Sequence, residues 1–123
     1  MAKWSGWWEQ RGFGRQKMHD LVLDVAADGM VRGEGVDCVG RFTFRGRFRS
    51  DGTISLVKQY LGAHRVIYEG CNSGEGIFGD WLIPELCWGQ NTGRFALRPL
   101  PGDAAQCGEI RELVPACWDI CQV

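Results

Sequence analysis

The sequence predicts an all-β fold: an antiparallel up-and-down barrel of about eight strands with a short C-terminal helical tail. Three observations carry this expectation. In residues 41–49, Phe42, Phe44, Gly46 and Phe48 alternate without error with Arg41, Thr43, Arg45, Arg47 and Arg49. Side chains in a strand point to opposite faces with period two, so this segment has one aromatic face and one cationic face. Similar runs recur along the chain and are separated by turn signals, among them Asp28-Gly29 and Asp51-Gly52, the dipeptide favoured in tight hairpins. Finally, the 18 glycines are dispersed between the runs rather than clustered, as turns and bulges require. Eight strands joined hairpin to hairpin can close into a barrel that holds side chains or one small ligand.

Each element follows from its own pattern. Residues 4–9 place Trp4, Gly6 and Trp8 on one face and Ser5, Trp7 and Glu9 on the other, and the polar residues 10–15 read as a loop. Residues 18–25 alternate with His19, Leu21, Leu23 and Val25 facing inward and Asp20 and Asp24 outward. After Asp28-Gly29, residues 30–37 set Val31, Gly33, Gly35 and Asp37 against Arg32 and Glu34. The strand at 41–49 comes next, then residues 53–61, whose more apolar face holds Ile54, Leu56, Lys58 and Tyr60. That choice turns Lys58 inward. His64, Val66 and Tyr68 oppose Arg65, Ile67 and Glu69, and residues 70–76 read as a loop. Ile77, Gly79 and Trp81 share a face, residues 84–91 form a longer loop, and residues 93–98 echo residues 40–45 as the last strand.

The tail changes period. Cys107, Ile110, Leu113, Val114, Cys117, Trp118 and Cys121 follow helical spacing, with Asp103 as N-cap and Pro115 as a break. The chain therefore reads as a single domain over residues 1–123, with the barrel at 4–98 and the helical tail at 99–123 packed on it.

A net charge of −1 favours neither nucleic acid nor an anionic membrane. The first eight residues lack the apolar stretch of about 7–15 residues that a secretion signal carries. The expectation is a cytoplasmic protein whose six cysteines are reduced. Cys117 and Cys121, four residues apart, have the spacing of half a zinc site. No C-x-x-C completes it, so no metal is assigned. The arginine row of residues 41–49 reads as a solvated face paired with acidic residues on neighbouring strands.

Gly6-Trp7-Trp8 forms a G-x-W in the first strand, and Arg98 follows Phe95-Ala96-Leu97 in the last. With antiparallel strands between them, this resembles the calycin group of lipocalins, fatty-acid-binding proteins and avidins over residues 4–98. The resemblance implies the barrel architecture, with Arg98 a candidate to cover Trp8. Residues 10–16 leave no room for the lid of fatty-acid-binding proteins, and the biotin-contacting set of avidins has no match, so no ligand is implied.

Inward polar residues are the candidates for function. His19, Asp37, Lys58, Tyr60, His64, Tyr68 and Trp81 line the expected interior, where a polar group without a hydrogen bond costs about 1–3 kcal/mol. They form either a pocket for a small molecule or a satisfied network with Asp37 paired to Lys58. The function expected is a non-catalytic small-molecule-binding barrel. The alternatives are an interaction module with a solid core and a small isomerase- or cyclase-type enzyme with Asp37 or a histidine as base. No catalytic motif selects a reaction, and no catalytic residue or cofactor is assigned. The partners expected are a small-molecule ligand and a second copy of the chain, with neither nucleic acid nor membrane.

Overall fold

The computed structural model describes residues 1–84 and 91–101. Eight strands follow one another: β1 (Ala2–Gln10), β2 (Gly14–Val25), β3 (Met30–Val36), β4 (Arg41–Phe48), β5 (Thr53–Tyr60), β6 (Arg65–Asn72), β7 (Ile77–Leu82) and β8 (Thr92–Pro99). Each pairs antiparallel with its sequence neighbour, and β8 returns to β1 to close the barrel. The expected all-β up-and-down barrel is therefore the fold. The helical tail falls outside the described residues from 102 onward, as do Cys117 and Cys121.

The alternation in β4 does what its sequence requires. Phe42, Phe44 and Phe48 are buried, and Arg41, Arg45, Arg47 and Arg49 are exposed. Burying such a side chain contributes roughly 1.5–3 kcal/mol. The rings meet edge to face, Phe42 with Phe44 at 5.3 Å and Phe44 with Tyr68 at 5.2 Å between centroids, the arrangement aromatic quadrupoles favour. Gly46 faces inward opposite Val31 and Leu56. A Cβ there would stand 1.9 Å from the Ser55 carbonyl oxygen, so only glycine permits this approach of β4 to β5.

The Asp-Gly turns close as hairpin loops. Gly29 donates its amide to the Ala26 carbonyl and Gly52 to that of Arg49, each at 2.9 Å. Asp28 and Asp51 accept the amides of Met30 and Thr53, the local side-chain bond that makes Asp a turn residue.

Several expectations are corrected. β2 begins at Gly14, because pairing with β1 continues to Gln10–Gly14 and leaves three turn residues. His19 is exposed, not interior. β2 carries one extra residue between His19 and Val22 relative to both neighbours, and Asp20 takes φ 51°. Such a bulge breaks the period of two, so Met18 and Leu21 point inward and His19 outward. β6 runs on through Gly70, Cys71 and Asn72, which read as loop.

The arginine face is also less paired than expected. Arg45 lies between Arg32 and Val57, and no ion pair holds Arg32, Arg41 or Arg45 among the described residues. Arg49 instead donates to Thr53 and Ser55, and Ser55 donates to Glu69. Arg98 pairs with Ser5, three positions from Trp8 along β1, and its guanidinium lies over the Phe78 ring. It does not cover Trp8, because the antiparallel register puts Phe95 there. Cys71 is disulfide-bonded, against an expectation that rested on compartment rather than geometry. Cys38 is a free, exposed thiol. Cys71, Phe78 and Ala96 neighbour one another on the outward side of β6 to β8 and are buried there.

Candidate functional site

The site lies at the barrel end that carries the β1–β2, β3–β4 and β5–β6 turns. Asp37 follows the last residue of β3 and opens a two-residue turn, exchanging backbone hydrogen bonds with Gly40 at 3.1 Å each. The inward phase of Val31, Gly33 and Gly35 carries through to Asp37, so its carboxylate is folded over the end of the interior. It is saturated there. Oδ2 accepts from Lys58 Nζ at 2.7 Å, Tyr60 hydroxyl at 2.8 Å and Trp8 Nε1 at 3.0 Å, and Oδ1 accepts from the Val39 amide at 2.9 Å.

Lys58 is 0% exposed, Asp37 7% and Tyr68 1%. Lys58 comes from the middle of β5, opposite Phe44 and Val66, and its ammonium sits over the Phe42 ring at 4.2 Å and the Tyr60 ring at 4.7 Å. Aromatic faces carry partial negative charge and stabilise a desolvated cation. A second Nζ bond reaches the Tyr68 hydroxyl at 3.2 Å.

Each titratable group is shifted for an identifiable reason. Burial alone would raise the Asp37 carboxyl, but the Lys58 charge and hydrogen bond, then Tyr60 and the Val39 amide, outweigh it and hold it below the ordinary carboxylate value. Burial pulls the Lys58 ammonium down to about 8, against the opposing pull of Asp37. Tyr60 is pushed far up by burial and then by its bond to the Asp37 carboxylate, and Tyr68 by burial and the same charge. At neutral pH the cluster is an ion pair with two neutral phenols.

Next to this cluster is a cavity of about 180 Å³ lined by Trp8, Gln10, Val39, Tyr60, His64, Val66, Tyr68, Trp81 and Ile83. Trp8 and Trp81 meet edge to face at 5.9 Å, and Trp81 Nε1 donates to the Glu9 carbonyl at 3.1 Å, which fixes its ring. His64 is exposed at the rim with its ring 5.2 Å from that of Tyr60. Phe13, Val39 and Leu61, on the turns at this end, are exposed.

Of the residues expected to line the interior, Asp37, Lys58, Tyr60 and Tyr68 come together in one network. Tyr60, Tyr68, Trp81 and His64 line the cavity, and His19 is not at the site. Asp37 and Lys58 are not among the lining residues, since their polar atoms are engaged with each other and with the tyrosines. Alternation puts Trp8 on one face with Trp4 and Gly6 without saying which face is inward, and it does not reveal the bond to Asp37; a tryptophan at the same barrel end as an inward carboxylate is the available signal. Val39, Val66 and Ile83 carry no polar group that would single them out. Comparison with family models, with curated proteins and with solved structures gives no match. The closed eight-stranded barrel is compatible with the calycin architecture without assigning the chain to that group.

Proposed function

We propose that this barrel is a non-catalytic binder of a small, largely apolar molecule at its aromatic mouth. The observation that supports this reading is the cavity itself, which has room for a small molecule and is walled by Trp8, Tyr60, Val66, Tyr68 and Trp81. Concave, mostly apolar sites with a few convergent polar groups are the usual form of a ligand site. Asp37 is poorly suited to serve as a base, because four donors already occupy its oxygens.

Naphthalene is a suitable neutral probe. Its addition is expected to shift the indole N–H resonances of Trp8 and Trp81 saturably in a ¹⁵N–¹H NMR titration. Val66→Phe, which fills the cavity from β6, is expected to abolish the response. No shift at Trp8 and Trp81, or shifts equally large at Trp4 in the opposite end, would remove the reading.

The exposed apolar turn residues Phe13, Val39 and Leu61 favour a second reading, a protein-interaction module that uses the rim. Sedimentation separates the two. A monomer that takes up naphthalene supports the first, and a dimer that ignores it supports the second.

A further inference from the structure

We infer that the mouth cavity selects a neutral planar molecule bearing a hydrogen-bond-accepting carbonyl oxygen, and that the Tyr68 hydroxyl is the group that receives it. This rests on the binding reading above and specifies its ligand class.

Lys58 has an ammonium and only donates, so in its 3.2 Å contact with Tyr68 the phenol oxygen accepts. The hydroxyl hydrogen of Tyr68 then remains, and Tyr68 donates no hydrogen bond to a described residue. Tyr60 is the opposite case, since its hydrogen is given to Asp37 Oδ2. Tyr68 is 1% exposed and lines the cavity. A buried donor without an acceptor is costly, and a ligand oxygen in the cavity would satisfy it. The ammonium behind the phenol polarises its O–H and strengthens that bond.

Charge selects a neutral acceptor over an anionic one. The Lys58 charge is matched by Asp37 at 2.7 Å, so the cluster offers no net positive charge to a carboxylate. Burying an unmatched carboxylate beside Asp37 would be strongly unfavourable. The lining selects an aromatic, hence planar, molecule, since Trp8, Tyr60, Tyr68 and Trp81 all contribute rings to it.

Acetophenone, ethylbenzene and benzoate test this by NMR titration of the wild type and Tyr68→Phe. Acetophenone is expected to bind about tenfold more weakly to Tyr68→Phe, the worth of one such bond, while ethylbenzene keeps its affinity within about twofold; comparing each ligand with itself cancels its own hydration. Benzoate is expected to bind more weakly than acetophenone. Should the substitution disturb folding, the infrared carbonyl stretch of acetophenone bound to the wild type still decides the matter. A frequency below that in hexane supports the inference, and a hexane-like one overturns it. If both ligands bind and neither responds to Tyr68→Phe, the cavity reading stands and the carbonyl inference fails. Benzoate binding tighter than acetophenone overturns the neutral preference. If neither neutral ligand binds the wild type, both readings fail together.

Discussion

Lys58 and Asp37 show why a buried ion pair is judged by what remains when one member is removed. With both present, the carboxylate has four donors and the ammonium has two oxygen contacts and an aromatic face. Lys58→Met leaves the carboxylate buried without its counter-charge and is expected to cost about 3–5 kcal/mol in urea unfolding. The double variant Asp37→Asn, Lys58→Met removes both charges. It is expected to be less destabilised than the sum of the single changes by at least about 1 kcal/mol. Strict additivity would mean that the two charges do not depend on each other. The inward phase of both residues was legible from alternation alone. Their bond was one of two outcomes the sequence allowed, because the pairing distance depends on how far the β3–β4 turn folds over the barrel end.

At the scale of a strand, β2 and β4 differ in how well a period of two describes them. β4 is uninterrupted, and every one of its faces follows from the sequence. β2 contains the bulge at Asp20, which has φ 51° and moves His19 outside. Asp accepts that conformation more readily than most residues, but nothing in a sequence reading distinguishes a bulged Asp from one on an outer face. The close approach of β4 to β5 gives a sharper test. Gly46→Ala places a Cβ against the Ser55 carbonyl and is expected to cost about 2 kcal/mol or more. Gly62, in the β5–β6 turn, has φ +73° and open space around its Cβ position. Gly62→Ala meets only the left-handed backbone preference and is expected to cost about 1 kcal/mol. Equal costs by thermal unfolding would show that Gly46 is kept for reasons other than the strand contact.

For the molecule as a whole, the buried cluster imposes a pH signature on stability. Lys58 has a folded value of about 8 against an ordinary 10.5. Between those values the unfolded chain holds a proton that the folded chain has released, so stability rises with pH. Tyr60 and Tyr68 are shifted upward from 10.0. Above that value the unfolded chain has lost phenolic protons the folded chain keeps, so their contribution falls. Asp37, shifted downward from 3.8, contributes stability above that value and loses it as pH falls through its folded value. The cluster therefore predicts a stability maximum near pH 10. Urea unfolding from pH 7 to 11 is expected to show the rise in the wild type and its loss in Lys58→Met; an identical profile in both would assign the rise to other groups.

The sequence by itself determined the strand count, the hairpin order and the inward phase of most strands, because side-chain alternation and turn chemistry act over a few neighbouring residues. It also put Asp37, Lys58, Tyr60, Tyr68 and Trp81 inside, where they are buried, and His19 and His64, which are exposed. Tertiary structure decided the rest. Closure of β8 on β1 brings Trp8 beside Trp81. The bulge in β2 removes His19 from the interior. The antiparallel register separates Arg98 from Trp8, and the fold of the β3–β4 turn buries the Asp37–Lys58 pair beside the cavity rather than exposing it within. Each of these depends on distances between strands far apart in the chain, which barrel closure sets and local pattern does not.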